Sequence, residues 1–319
     1  MREFETRVLL RPESEDLRHL PEGPYPCGSD GFSWVAIQHG QDTKNGSLNI
    51  FNWATKTNSQ INLPGRPGFA FATDRPGVFV IGMDRHVGLF DSSSNEWKPF
   101  TDELEDGVNE QLINDGVVFD GGLVFGCKRP PFNPNDNLAG LYLWRRSDRS
   151  IHKLRSDQTC SNGKIIHGSG DRVTLLDIDT PTQKVVRYEL DVAAGRLVNP
   201  EGDPVINLKQ EGVFPDGMIA TPDGKGVIIA FFDVRASAFG EARQYSLEGE
   251  LQAVWKVPGS PRVTCPQLFN VDGAIKLVLT TASEGLDHEG LDRHPNAGCL
   301  FIGDTDFDGL PDQPVFKCP

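Results

Sequence analysis

The sequence lacks three features that would place it in common classes of protein: an excess of basic residues, long apolar runs and closely paired cysteines. Lys and Arg total 31 against 45 Asp and Glu, which gives a formal net charge of −14. A surface of that sign repels phosphate backbones and anionic lipids, so we expect neither a nucleic acid nor a membrane among the partners. No stretch has the length of a membrane span, and the acidic residues within positions 1–5 do not fit a signal peptide, which predicts a cytoplasmic protein.

The six cysteines are widely spaced and include no Cys-x-x-Cys pair; they are Cys27, Cys127, Cys160, Cys265, Cys299 and Cys318. A chain of 319 residues can bury a large core and does not depend on disulfide bonds for stability. We therefore expect free thiols and no cysteine-based zinc cluster.

Glycine and proline are abundant, at 34 and 23 residues, and they favour frequent turns over long helices. A Gly-containing turn followed by a short apolar strand recurs six times, starting at Gly31, Gly77, Gly121, Gly170, Gly224 and Gly273. With a period of 44 to 54 residues, each unit has room for about four strands, as in a propeller blade. A β-sandwich would fit the composition but would not explain the period.

We therefore predict an all-β fold, a six-bladed β-propeller that occupies residues 1–319 as a single domain. The six units leave residues 7–10 as a spare strand. We expect this strand to pair beside residues 299–302 in the last blade and so to close the ring.

Carboxylate or amide side chains occur about eight positions before four of the six Gly turns, where the innermost strand of each blade should begin. The six residues at this register are Glu22, Phe69, Asn114, Asn162, Asp216 and Cys265. Taken singly, Asn-Asp-Gly, Ser-Asn-Gly and Pro-Asp-Gly are typical of turns. Taken together, two carboxylates and two amide oxygens would meet on the propeller axis. This chemistry predicts one divalent metal ion, with Ca²⁺ favoured and Mg²⁺, Mn²⁺ or Zn²⁺ as alternatives.

The residues that follow the apolar runs should line the rim of the same hollow. We assign Lys128, Arg129 and Glu284 from this set, together with Asn114, to substrate binding. Two polar inserts, residues 130–137 and 284–298, are expected to form pocket walls or lids there; ordinary solvated loops are the alternative.

Short motifs extend from about residue 21 to residue 301. They are Glu-Gly-Pro at 22–24, Asn-Asp-Gly at 114–116, Ser-Asn-Gly at 161–163, Pro-Asp-Gly-Met at 215–218, Gly-Leu-Asp-His-Glu-Gly-Leu at 285–291 and Pro-Asn-Ala-Gly at 295–298. As a set they resemble the senescence-marker-protein, gluconolactonase and luciferin-regenerating-enzyme family of six-bladed propellers. The resemblance implies a divalent metal held by Glu22, Asn162 and Asp216, with waters completing the shell and Asn114 beside the substrate.

The resemblance also implies a function, the hydrolysis of a small hydroxylated, sugar-type lactone to its hydroxy acid. The metal would act as a Lewis acid on the carbonyl, and Asp216 or a metal-bound water would act as the base, so Asp216 and Asn114 are the catalytic candidates. Many lactonases of the family carry Arg two residues before the Asn-Asp pair. Here that position is Leu112, and Lys128 or Arg129 would have to supply the cation.

Two alternative functions stay open. The substitution at Leu112 is compatible with a metal-dependent esterase or a phosphotriesterase-like hydrolase, and an axial metal is also compatible with a non-catalytic calcium-binding propeller. A second metal site could use Asp304, Asp306, Asp308 and Asp312. Because Val315 stands where a calcium loop has a bidentate Glu, we expect a solvated acidic turn instead. The oligomeric state is left open.

Overall fold

The structure is a computed structural model that describes residues 1–104, 111–129 and 132–319. Strands account for 56% of the residues and helices for 4%, so the fold is all-β and propeller-like, as predicted. No helix in the described part of the chain is both long and apolar enough to cross a membrane.

Each sequence repeat forms an antiparallel set of strands. β1 (Arg2–Leu10) and α1 (Glu15–Arg18) precede the first set, which contains β2 (Pro21–Pro26), β3 (Gly31–Ala36), β4 (Ser47–Asn52) and β5 (Asn58–Asn62). The second contains β6 (Pro67–Ala72), β7 (Val78–Met83), β8 (His86–Asp91) and β9 (Glu96–Pro99). The third contains β10 (Leu112–Phe119), β11 (Gly122–Lys128), β12 (Ala139–Arg145) and β13 (Ser150–Gln158).

The remaining three sets follow the same order. The fourth contains β14 (Ser161–His167), β15 (Arg172–Asp179), β16 (Lys184–Asp191), β17 (Arg196–Leu197) and β18 (Asp203–Asn207), with a 3₁₀ turn at Thr180–Thr182. The fifth contains β19 (Val213–Ala220), β20 (Gly226–Asp233), β21 (Phe239–Ser246) and β22 (Leu251–Pro258). The sixth contains β23 (Val263–Val271), β24 (Ala274–Thr281), α2 (His288–Arg293) and β25 (Leu300–Asp304).

β1 lies between two other strands, and this changes the number of sheets. It pairs antiparallel with β25, where Val8 lies opposite Phe301, so the predicted pairing of residues 7–10 is confirmed. It also pairs in parallel with β22 through residues 2–5. The fifth and sixth sets therefore form one eight-stranded sheet. Each of the other four sets forms a sheet of its own, so the described residues contain five sheets. The prediction of a six-bladed propeller was wrong in the number of blades, because one strand satisfies the backbone groups of two neighbouring edges and joins two of the sets.

The described chain divides into two compact units. Unit 1 contains Met1–Pro67 and Gln210–Asp312, and unit 2 contains Gly68–Lys209 and Gln313–Pro319. In unit 1, Trp255, Phe301 and their neighbours form one buried cluster, and Phe32 and Trp34 belong to a second. In unit 2, a cluster around Leu143 and Leu175 fills the space between adjoining sheets. The assignment of residues 1–319 to a single domain stays a prediction.

Candidate functional site

The first strand of each set carries the predicted register residue, and in five sets the strand pairing shifts there. The shifts fall between Glu22 and Tyr25, Ile113 and Asp115, Asn162 and Lys164, Pro215 and Met218, and Val263 and Pro266. Such bulges re-aim side chains and occur often beside active sites. The Asn-Asp-Gly, Ser-Asn-Gly and Pro-Asp-Gly motifs therefore lie within strands and do not form the hairpin turns that their composition suggests.

Two buried amides contact each other in unit 2. Asn114 and Asn162 are each 6% exposed, and Nδ2 of Asn114 donates hydrogen bonds of 2.9 Å to Oδ1 of Asn162 and to the carbonyl oxygen of Ser161. Nδ2 of Asn162 in turn donates to Oγ1 of Thr180, at 2.8 Å. Among the described residues, Oδ1 of Asn114 receives no hydrogen bond, and Oδ1 of Asn162 keeps a second lone pair.

The two candidate carboxylates lie on β2 and β19 of unit 1, and both strands pack against the start of β23. Oγ1 of Thr264 donates to the carbonyl oxygen of Pro21, at 2.7 Å, directly before Glu22. A Cβ atom on Gly217, next to Asp216, would lie only 2.7 Å from Sγ of Cys265, so the backbone needs glycine there. Asp216 is 8% exposed, and Oε2 of Glu22 accepts the Gly23 N–H at 3.0 Å.

The chemistry of these four side chains fits a hard divalent cation. Carboxylate and amide oxygens are the ligands that Ca²⁺ and Mg²⁺ prefer, and both amide oxygens retain acceptor capacity. Within the described residues, no three His, Cys, Asp or Glu side chains form a group that could hold a metal ion. In the described residues a metal site could therefore not rest on His, Cys, Asp and Glu side chains alone.

The two basic residues predicted to bind substrate differ in their surroundings. Nη1 of Arg129 forms an ion pair of 2.5 Å with Oδ2 of Asp136, so its charge is balanced within the 130–137 insert; residues 130 and 131 lie outside the described residues. Lys128 ends β11 directly opposite Leu112 on β10. The ammonium group of Lys128 thus belongs to the cross-strand neighbour of residue 112, the position at which Arg was expected from the resemblance.

Glu284 is the third residue after β24 in unit 1, and its N–H donates to the carbonyl oxygen of His19 at 2.9 Å. The polar insert 284–298 contains α2, and Asp287 caps the helix by accepting the Gly290 N–H at 2.7 Å. Arg262, which sequence reasoning did not single out, lies within electrostatic range of the Glu284 carboxylate. It is 8% exposed and donates to the carbonyl oxygen of Gly285 at 3.3 Å, and burial lowers the pKa of its guanidinium.

A buried charged cluster next to Asn162 was also missed. The Lys164 side chain is fully buried in unit 2 and lies 3.4 Å from Oδ1 of Asp177, its direct partner in the β14–β15 ladder. Burial raises the pKa of Asp177, and the Lys164 ammonium acts in the opposite direction. Burial likewise raises the pKa values of Asp115 and Asp179. The sequence signal was a charged residue in each of two apolar strands that form one hairpin.

The acidic segment near the C-terminus is partly neutralised by basic residues. Asp304 pairs with Lys276 at 2.6 Å, and Asp306 pairs with Arg2 at 3.2 Å. The absence of a second metal site in this segment stays a prediction.

Comparison with solved structures identifies the class of fold. A regucalcin from Agrobacterium tumefaciens str. C58, described as a calcium-binding protein, superposes with a TM-score of 0.81 at 20% identity and covers 100% of both chains. A luciferin-regenerating enzyme superposes with a TM-score of 0.75 at 18% identity, over 93% of this chain and 95% of that one. At these identities the likeness shows the fold alone.

The sequence itself matches the family described as "SMP-30/Gluconolactonase/LRE-like region" over residues 20–283, and the chain belongs to that family. YvrE of Bacillus subtilis (strain 168) is 32% identical over 172 residues, 53% of each chain. Regucalcin of Gallus gallus is 30% identical over 210 residues, 63% of this chain and 65% of that one. An L-arabinolactonase of Azospirillum brasilense is 24% identical, over 78% of this chain and 77% of its own. The chain thus spans about half to two-thirds of the first two relatives.

Proposed function

We propose that this protein is a divalent-metal-dependent lactonase that opens a small hydroxylated, sugar-type lactone to its hydroxy acid. The observation that carries the proposal is the family match over residues 20–283, within which four oxygen-bearing side chains occupy equivalent bulged positions of four first strands. Relatives that include an L-arabinolactonase support the substrate class.

In this proposal Glu22, Asn162 and Asp216 hold the cation, an assignment that rests on their shared register and on family membership. The cation would supply the positive charge that polarises a lactone carbonyl. Asn114 orients the substrate, because its Oδ1 is available to accept a hydrogen bond from a substrate hydroxyl. Asp216 takes the proton from the attacking water if one of its oxygens does not bind the cation. If both oxygens bind the cation, a water molecule other than the attacking one has to accept that proton.

Lys128 is the better candidate of the two basic residues for binding the substrate's hydroxyl groups. It lies opposite Leu112 in the β10–β11 ladder, whereas Arg129 is engaged by Asp136. Glu284 follows β24 and would accept hydrogen bonds from hydroxyl groups. All six cysteines are free thiols, which supports a reducing, cytoplasmic site of action.

The test is hydrolysis of aldonolactones by protein that has been stripped with a chelator and then reloaded separately with Ca²⁺, Mn²⁺, Mg²⁺ or Zn²⁺. We expect activity to disappear with the metal, as verified by elemental analysis, and to return on reloading. Full activity in metal-free protein would refute the proposal. Aryl esters and phosphotriesters in the same panel distinguish the lactonase from a more general ester hydrolase.

A second candidate function is calcium binding without catalysis, which the regucalcin relatives favour. It predicts that Ca²⁺ raises the melting temperature while every lactone and ester stays intact. Hydrolysis of any aldonolactone at a rate that depends on the bound metal would exclude it.

A further inference from the structure

The Lys164–Asp177 pair is unusual because both charges are removed from water. The Lys164 side chain is 0% exposed and that of Asp177 is 2% exposed, and Nζ of Lys164 lies 3.4 Å from Oδ1 of Asp177. Gln158 donates a hydrogen bond to the other oxygen of Asp177. Lysine is seldom fully buried, and a buried ion pair is often no more stable than apolar residues of the same volume. Fold stability alone therefore does not account for the pair.

The ammonium makes a second contact, which connects the pair to the candidate site. Nζ of Lys164 donates to the main-chain carbonyl oxygen of Asn162. The ladder between β14 and β15 shifts register between these same two residues, so the regular backbone pairing is interrupted there. A buried carbonyl group at such a bulge needs a donor from elsewhere, and Lys164 provides one.

The side-chain amide of Asn162 is also held by hydrogen bonds. Its Nδ2 donates to Oγ1 of Thr180, and its Oδ1 accepts from Nδ2 of Asn114. A shift of the Asn162 backbone would therefore move both amides. The contacts are continuous from Asp177 to Lys164, from Lys164 to the Asn162 carbonyl group, and from Asn162 to the side-chain amide of Asn114. All of these residues lie in unit 2.

We propose that Lys164, held by Asp177, is a positioning residue that fixes the backbone of Asn162 and thereby aims the Asn162–Asn114 amide pair. The inference rests on the proposed function, in which Asn162 is a metal ligand and Asn114 contacts substrate. Neither charged residue touches the substrate. They act on the position of Asn162, the proposed metal ligand, in the same way as residues that hydrogen-bond to a metal-binding residue and fix its orientation.

The main test variant is the double substitution Lys164→Met with Asp177→Asn. It removes both charges together, since removal of one alone would leave the other buried and unpaired. The matched control is Lys98→Met with Glu96→Gln, which neutralises an exposed ion pair in the same unit as Lys164. A milder second variant, Gln158→Met, removes only the hydrogen bond to Asp177 and serves if the double variant fails to fold.

Three quantities are measured: Ca²⁺ affinity by calorimetry, kcat and KM for an aldonolactone, and hydrogen exchange of residues 161–167 in the metal-free protein. We expect the double variant to bind Ca²⁺ about 10- to 100-fold more weakly, with a fall in kcat of similar size and faster exchange near Asn162. The Gln158 variant should shift all three in the same direction by less, and the control should shift none.

A double variant that is less stable but keeps its Ca²⁺ affinity and kcat would overturn the inference, because the pair would then serve the fold alone. If wild-type protein binds no metal and opens no lactone, the proposed function fails instead. Hydrogen exchange still decides the positioning role in that case: faster exchange confined to residues 161–167 supports it, and unchanged exchange refutes it.

Discussion

Asp216 and Asp223 occur in two Pro-Asp-Gly triplets only seven residues apart, and the chain uses the two triplets differently. Asp216 lies inside β19 at a bulge and is 8% exposed. Asp223 lies exposed in the turn between β19 and β20, where Gly224 has φ of +67°. The same three residue types therefore give a buried candidate ligand in one place and an ordinary hairpin turn in the other.

We expect Asp216→Asn to abolish measurable turnover and to weaken Ca²⁺ binding by about 100-fold or more, since a ligand should matter at least as much as the residues that orient it. The reason is that Glu22 would remain as the only anionic member of the donor set. Asp223→Asn, the same change in the same hairpin, should alter neither quantity. An Asp216→Asn protein with full metal content and a near-normal rate would show that the site is wrongly placed.

Asn114→Ala should separate catalysis from metal binding. Asn114 is neutral and contacts Asn162 through Nδ2, so its loss removes no charge from the donor set. We expect kcat to fall about 100-fold, a typical cost of losing one polar group that contacts the reacting substrate, while most of the metal stays bound. Elemental analysis beside the hydrolysis rate measures both, and complete loss of metal would contradict the assignment.

The register of the candidate site residues has a physical reason, and their roles in the site stay a prediction. A bulge recurs at equivalent positions of five first strands, so Asn114 and Asn162 lie seven and eight residues before the following Gly turn. Arg262 could not be found in this way. Its burial depends on how the segment after β24 covers it, which no short sequence pattern encodes.

At the scale of single elements, the β14–β15 hairpin shows what sequence reasoning missed. Asp177 is one of the residues that follow the apolar runs, which the sequence predicts at the rim of the hollow, but the sequence did not indicate its pairing with Lys164. The two residues lie directly opposite each other in the ladder, and a charged pair buried within a hairpin becomes visible only once the register is known.

The β12–β13 turn offers a test of pH dependence. Asp148 accepts hydrogen bonds from Nε and Nη2 of Arg145, at 3.0 and 2.6 Å, and from Oγ of Ser150 at 2.7 Å. These contacts, that of Arg145 first, hold the pKa of Asp148 well below its ordinary value of 3.8. The stability that they contribute is therefore complete above pH 3.8 and is lost as the pH falls towards the lower, folded-state pKa.

We expect Asp148→Asn to lower the melting temperature at pH 6 and the difference from wild type to shrink as the pH falls below 3.8. Thermal unfolding followed by circular dichroism at a series of pH values measures it. Asp120→Asn, in the exposed turn between β10 and β11, is the matched control and should show no difference. A difference that grows on acidification would contradict the assigned cause.

At the scale of the whole molecule, the number of sheets depends on β1. The six repeats are evident in the sequence, and so is the pairing of β1 with β25. The parallel contact with β22 could not be predicted, because a strand with two free edges can pair on one side or on both.

Removal of residues 1–10 should expose unpaired edges on both β22 and β25. We expect the truncated protein to melt at a lower temperature and to self-associate in size-exclusion chromatography, since exposed strand edges pair with other chains. A synthetic peptide of residues 1–12 added in trans should restore both properties, and a scrambled peptide should not. A truncated protein that stays monomeric and equally stable would show that β1 is dispensable.

The double pairing of β1 also constrains the time course of folding. Arg2 meets Ala253, and Val8 meets Phe301, so the partners of this strand lie about 250 and 290 residues further along the chain. During synthesis β1 is made long before either partner strand. Its apolar residues therefore stay unpaired in the nascent chain, where aggregation competes with folding. Pairings of such long range form slowly, so completion of the eight-stranded sheet should be a late and slow phase of refolding from denaturant.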